Sequence, residues 1–374
     1  MSVAILAKRS TYFGKSLIAT VIRKIGLFPQ CPQPVLFETV ESAGVVTLNR
    51  PKQLNAMDYL MWRQLLPRLQ ITERGRSRLI LKGEGAFSVG KDIKWFFNHE
   101  RHSKKLASVT LMFNGVYLLS KYKIPSVALI NGLTFGAGLM LSRNCKYRVA
   151  TEHATIGSPE VNSWINNVSG TYHLSRLSNH LGFYLSMTNE RLKGKDVVLS
   201  GLATHFVPSA RLQELGNELC SCKPEDIEAR LNVYSEPLGE FSLAPVVKDI
   251  NHCFSADTVE GIIERLWTVN DPWSMQAVES IAKLSPTMLK VTLRALQLGK
   301  ASDMKECLQT EYRVLSRYLG SYDAHEGLRA VLMQRSDRPT WRPDTLAEVS
   351  DTMVNSYFEP LPEELVYYDE IISK

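Results

Sequence analysis

Two glycine-containing turns in this chain have the residue types needed to stabilise a developing negative charge. The first reads Phe87-Ser88-Val89-Gly90-Lys91-Asp92-Ile93, the second Asn131-Gly132-Leu133-Thr134-Phe135-Gly136-Ala137-Gly138. Each follows a strand-like apolar run and opens a helical pattern. The first amides of a helix have no intrahelical acceptor and carry the positive end of its dipole, so an anion is favoured there. Two such turns converging on one point would form an oxyanion hole, which stabilises a carbonyl oxygen as it becomes negative. Either turn alone would be ordinary strand-to-helix chemistry.

The surrounding pattern supplies elements that could position them. Val35-Leu36-Phe37 and Val45-Val46-Thr47-Leu48, separated by a stretch ending in Glu41-Ser42-Ala43-Gly44, read as a β-hairpin. Asn49-Arg50-Pro51 ends its second strand, because proline cannot donate to a ladder. Met57 to Thr72 places Met57, Leu60, Leu65, Leu66 and Leu69 at helical spacing, with Pro67 as a site for a kink. Short strands are expected at Arg78–Leu81, 124–130, Arg148–Ala150 and Ala154–Gly157, with a helix over Leu106–Lys121. Strands alternating with helices argue for a mostly parallel sheet. Beyond about Leu185 helical periodicity takes over, broken at Pro208, Pro224, Pro237 and Pro286. The expected division is an α/β core over 34–200 and a mainly helical region over 201–374, without internal repeats or low-complexity tracts.

Composition excludes little. Hydrophobic residues make up 44% and charged residues 22% of the 374, as in an ordinary globular protein. The net charge of +6 suits an anionic ligand or a weak nucleic-acid association. No apolar run approaches the roughly eighteen residues of a membrane span. The six cysteines are scattered, and Cys220-x-Cys222 has neither a second pair nor a nearby histidine, so reduced thiols are expected and no metal site. From Met1 to Phe37 there is no acidic residue, whereas Lys8, Arg9, Lys15, Arg23 and Lys24 alternate with apolar and hydroxyl residues. That pattern predicts a mitochondrial transit peptide over 1–33.

Taken together, Leu48-Asn49-Arg50-Pro51 with Leu54-Asn55-Ala56, then Phe87 to Asp92, then Asn131-Gly132 with Gly136-Ala137-Gly138, resemble the crotonase (enoyl-CoA hydratase/isomerase) superfamily. Arg148 to Glu152 running to Pro159-Glu160, Gly201 to Val207, Leu284-Ser285-Pro286-Thr287 with Lys290, and the block His325 to Leu332 with Pro339 to Pro343 resemble its 3-hydroxyisobutyryl-CoA hydrolase branch. The resemblance runs from about Val35 to Pro343. It implies an α/β fold, a crotonase-type (ClpP/crotonase-like) spiral of ββα units, with a helical C-terminal region over the acyl pocket. It also implies an acyl-CoA thioester as substrate, no cofactor, and a mitochondrial matrix enzyme of valine breakdown.

The resemblance further implies roles for particular residues. The thioester oxygen would be held by the amides of Lys91, just after Gly90, and of Ala137, just after Gly136, where the family usually has glycine at position 137. Glu160 matches the branch's nucleophile or general base, and a partly desolvated carboxylate can act so near neutral pH. The branch's second acid falls at Asn167, which can hydrogen-bond but cannot take up a proton. Asp92 and Lys94 would lie near the adenine end of CoA. His325 and Glu326 would be structural, and Arg329 would anchor the C-terminal region. Hydratase chemistry fits less well, because Arg143-Asn144-Cys145 offers no acid where a second glutamate is needed. Because of Asn167, an alternative stands beside the hydrolase: an impaired relative kept as a binding subunit, for instance of the mitochondrial small ribosomal subunit. A homo-oligomer is compatible with either.

Overall fold

The computed structural model describes residues 33–98, 102–157, 170–332 and 339–368. The transit-peptide expectation, apart from Gln33, therefore lies outside the described residues. From Val35 onward the chain forms one unit.

Strands β1 (Val35–Val40) and β2 (Ala43–Leu48) form the expected hairpin, antiparallel with Val40 opposite Ala43. The turn is tighter than the sequence suggests, with Glu41 at φ 52° and Ala43-Gly44 already inside β2. Strands β3 (Arg78–Gly83), β4 (Ser126–Ile130) and β6 (Tyr147–Ala150) then add in parallel. A sixth strand, β9 (His205–Phe206), joins β6 and completes the order β1-β2-β3-β4-β6-β9. A second sheet of three short strands pairs β7 (Thr155–Gly157) with β5 (Leu133–Phe135) in parallel and with β8 (Arg191–Lys193) antiparallel.

The central strands of the main sheet are buried on both faces, which explains why they read as continuous apolar runs rather than alternating ones. Side chains alternate across it. Val45, Ile80, Val127, Leu129 and Val149 face a core completed by Leu215, Leu219, Ile227 and Leu231, from the helices Leu212–Ser221 and Ile227–Tyr234. Val46, Leu48, Leu79, Leu81, Ala128 and Ile130 face the larger core. There helix α1 (Tyr59–Gly75) packs on a later helix (His102–Ser120), with Trp62, Leu65 and Leu69 meeting Val109, Phe113 and Val116.

Helix α1 starts two residues later than the periodicity suggests. Asp58 caps it, accepting the Met61 amide at 2.8 Å, while Met57 is drawn into an isolated parallel bridge with Lys91. Pro67 lies inside one continuous helix. Beyond β9 the regular elements among the described residues are all helices, joined by irregular stretches such as 235–243, in agreement with the expected helical C-terminal region. Among the described residues no helix is long and apolar enough to cross a membrane.

Candidate active site

Both glycine turns sit where a strand gives way to a helix, and the fold brings them together. Ser88 forms an isolated parallel bridge with Thr134. Its amide donates to the Leu133 carbonyl at 3.1 Å, and its carbonyl accepts the Phe135 amide at 2.9 Å. Phe135 is the N-cap of helix α2 (Gly136–Arg143), so this bridge fixes the second turn against the first. Contact is close enough to demand glycine. A Cβ built on Gly138 would stand 2.5 Å from the Ser88 carbonyl oxygen.

A second bridge orients the first turn. The Met57 amide donates to the Gly90 carbonyl at 2.7 Å, and the Asp92 amide donates to the Met57 carbonyl at 3.0 Å. In a parallel bridge the residues flanking a position carry its hydrogen bonds, so the backbone groups of Lys91 itself face away from Met57. Gly90 takes φ 91°, open to glycine and strained for other residues.

Asn55 underpins the arrangement. Fully buried, with φ 55°, it accepts the Arg50 amide at 2.6 Å and donates to the carbonyls of Glu84 (3.1 Å) and Ala86 (2.6 Å). Its own carbonyl accepts the Ser88 hydroxyl at 2.8 Å. Neither Asn55, Ser88 nor Thr134 carries an obvious chemical label in the sequence. The signal that could have found Asn55 is the Leu54-Asn55-Ala56 motif, where asparagine is suited to a left-handed position.

A cleft of about 700 Å3 opens at the first turn, lined among others by Lys52, Leu54, Val89, Lys91, Lys94, Trp95, Phe135 and Val331. Arg50, Lys52, Lys91 and Lys94 outnumber Asp58 and Asp92 in its walls, a balance suited to an anionic ligand. Lys94 is exposed at the cleft, as a phosphate partner would be. Asp92 also lines it, but its carboxylate is committed to the protein: Oδ2 accepts from Arg50 Nη2 at 3.0 Å and Oδ1 accepts the Trp95 amide at 3.0 Å. That engagement, and the repulsion between carboxylate and phosphate, favour a structural role for Asp92 over contact with CoA. Gly90, Gly136 and Ala137 are buried behind the cleft surface, and the Ala137 side chain is 1% exposed. Glu160 and Asn167 lie outside the described residues.

The flanks of the segment carrying Glu160 and Asn167 are fixed. On one side Gly157 pairs with Arg191 in the small sheet. On the other, the Thr171 amide donates to Glu311 Oε1 at 2.7 Å, and the Thr171 hydroxyl donates to the same oxygen.

Helix α2 ends at Arg143, whose Nη1 donates to the carbonyls of Gly201 (2.6 Å) and Leu202 (3.2 Å). Burial, together with the neighbouring Arg148, lowers the Arg143 pKa to about 9. The Cys145 thiol is pushed up to about 12 by burial. These residues tie α2 to the chain before β9 and supply no acid. All five described cysteines are free thiols. In the C-terminal block, Glu326 takes a bidentate grip from Arg329, with Nε and Nη2 each at 2.7 Å, and accepts the Thr340 amide at 2.9 Å. His325 is exposed and contacts the Ser321 carbonyl at 2.9 Å.

Comparison with known proteins agrees with this fold. The family described as enoyl-CoA hydratase/isomerase matches residues 43–358, and the chain belongs to that family. Within it, the likeness is to the 3-hydroxyisobutyryl-CoA hydrolases. The mitochondrial 3-hydroxyisobutyryl-CoA hydrolase of Rattus norvegicus is 40% identical over 344 residues, covering 87% of this chain and 89% of the relative. The Homo sapiens protein of that name is 39% identical over 346 residues, covering 88% and 89%. Among solved structures, a carnitinyl-CoA dehydratase from Mycobacterium thermoresistibile superposes with a TM-score of 0.84 at 29% identity, over 90% of this chain and 99% of that one. An enoyl-CoA hydratase from Rhodobacter sphaeroides gives 0.82 at 28%, over 89% and 100%.

Proposed function

We propose that this protein hydrolyses the thioester of 3-hydroxyisobutyryl-CoA, giving 3-hydroxyisobutyrate and CoA, in the valine-degrading chemistry of the mitochondrial matrix. The observation that carries the reading is the near full-length identity to 3-hydroxyisobutyryl-CoA hydrolases. The site geometry is consistent with it, because the bridges place a cation-walled cleft beside two facing helix-opening turns. The relatives are mitochondrial by name, and a mitochondrial location carries over to this chain.

In this mechanism the Lys91 and Ala137 amides receive the thioester oxygen as it becomes negative, and Lys94 pairs with a CoA phosphate. Glu160 either attacks the acyl carbon, displacing CoA thiolate and leaving a mixed anhydride that water then hydrolyses, or takes a proton from water that attacks the same carbon and displaces the thiolate directly. On either route 3-hydroxyisobutyrate leaves and the thiolate takes its proton from solvent. Asn167 holds the 3-hydroxyl group or the water by hydrogen bonds without exchanging a proton.

CoA release from 3-hydroxyisobutyryl-CoA, measured for the parent, Glu160→Ala and Asn167→Asp, tests the reading. Turnover in the parent that is lost in Glu160→Ala supports it. Absence of turnover in all three would sink it and turn attention to the binding-subunit alternative.

A further inference from the structure

We propose that Arg50 is a positioning residue for the oxyanion-binding turn, acting as a clamp around the Met57–Lys91 bridge. The inference rests on the thioester-hydrolase reading above. The guanidinium touches both sides of the bridge. Nη1 donates to the Ala56 carbonyl at 2.5 Å and lies 3.3 Å from Asp58 Oδ2, so it holds the residues before and after Met57. Nη2 donates to Asp92 Oδ2 at 3.0 Å, so it also holds the residue after Lys91. Asp92 in turn caps the next helix through the Trp95 amide, and the Arg50 amide is held by Asn55.

The geometry explains why a cation is needed here. Asp58 and Asp92 both cap helices, one on each side of the bridge, and both turn a carboxylate oxygen toward Arg50. Their side chains are only 18% and 13% exposed, so water screens them weakly. With Arg50 removed, two like charges would push the Met57 and Lys91 strands apart. The backbone groups of Lys91, which the bridge aims away from Met57, would then lose their orientation. An amide displaced by a fraction of an ångström loses most of its effect on a developing oxyanion. Arg50 also lines the cleft, so the competing role is direct pairing with a CoA phosphate. The two roles differ in what they change: positioning acts on kcat, phosphate pairing on KM.

Steady-state hydrolysis by Arg50→Met, Arg50→Lys and Arg50→Met/Asp92→Asn decides between them, alongside thermal unfolding. Arg50→Met is expected to lower kcat roughly 10- to 100-fold with KM within about threefold of the parent. Lysine, and relief of the repulsion by Asp92→Asn, should each recover part of the loss. A raised KM with unchanged kcat overturns the proposal, as does a loss of activity that only follows the loss of folded protein. An isotope-edited infrared measurement of bound [1-13C]isobutyryl-CoA separates this inference from the proposed function. A lowered carbonyl stretch in the parent that vanishes in Arg50→Met upholds the clamp even if the parent hydrolyses nothing. A stretch unchanged by Arg50→Met refutes it.

Discussion

Glu311, a buried carboxylate on the helix Met304–Tyr318, accepts hydrogen bonds from both the amide and the hydroxyl of Thr171, on the helix Gly170–Leu174. Gly299 packs against the same residue, where a Cβ would stand 2.5 Å from the Thr171 carbonyl oxygen. The C-terminal helices therefore fix the chain just past Asn167. Glu311→Ala should destabilise the protein by about 2 kcal/mol, because it strands two buried donors. Chemical unfolding of the variant measures the cost, and no change would show that water replaces the carboxylate.

Gly138→Ala should be more damaging than an ordinary alanine substitution in a helix. The added methyl would press on the Ser88 carbonyl at 2.5 Å and the Ser88 Cβ at 2.7 Å, both held by the bridge to Thr134. Such overpacking costs about 1–3 kcal/mol. It would also shift one turn against the other, so kcat should fall further than stability does.

Asn55→Ala removes a side chain that satisfies one amide and two carbonyls in a fully buried position. A loss of about 3 kcal/mol is expected, combining the stranded groups with the left-handed backbone that alanine disfavours. Asn55→Asp should recover little, because a carboxylate cannot donate to the Glu84 and Ala86 carbonyls.

Acid stability should depend on Glu326. The Arg329 guanidinium, aided by the Thr340 amide, holds its carboxyl at about 2, below the ordinary 4.5. Because the folded form binds the proton less readily, Glu326 contributes stability above about pH 4.5 that fades as the pH falls toward 2. Burial raises neighbouring Asp323, so its pH dependence runs the other way: the stability it contributes is present at low pH and is lost as the pH rises. Glu326→Gln should therefore flatten the acid limb of a stability–pH curve, measured by unfolding at a series of pH values.

Lys94→Ala should raise KM for a CoA thioester severalfold while leaving kcat near the parent value, with the difference shrinking in high salt. Steady-state kinetics at two ionic strengths check it.

The hairpin and the central parallel strands were legible because Val45-Val46 and Val127 to Ile130 must be apolar on both faces. Strand β9 was not, since two residues cannot display a period. The start of α1 was misread for a different reason. Met57 fits the helical spacing, but its pairing with Lys91, distant in sequence, decides its conformation. The site divides the same way. Glycines advertise the two turns, whereas nothing local to Arg50 announces its pairing with Asp92, 42 residues on. The cap that Asp92 places on the Trp95 amide is local, whereas its ion pair with Arg50 appears only in the fold.

The two-residue strand β9 has a consequence for any shortened version of the chain. Among the described residues it is the strand that pairs with the outer edge of β6, and it arrives after residue 200, from the region that otherwise reads as helical. A protein ending near residue 200 would keep both glycine turns and yet expose β6 as an unpaired edge, stripped of Leu215, Leu219 and Leu231 from one face. Such an edge recruits strands from other molecules. The shortened chain would be lost to aggregation rather than persist as a free-standing catalytic half.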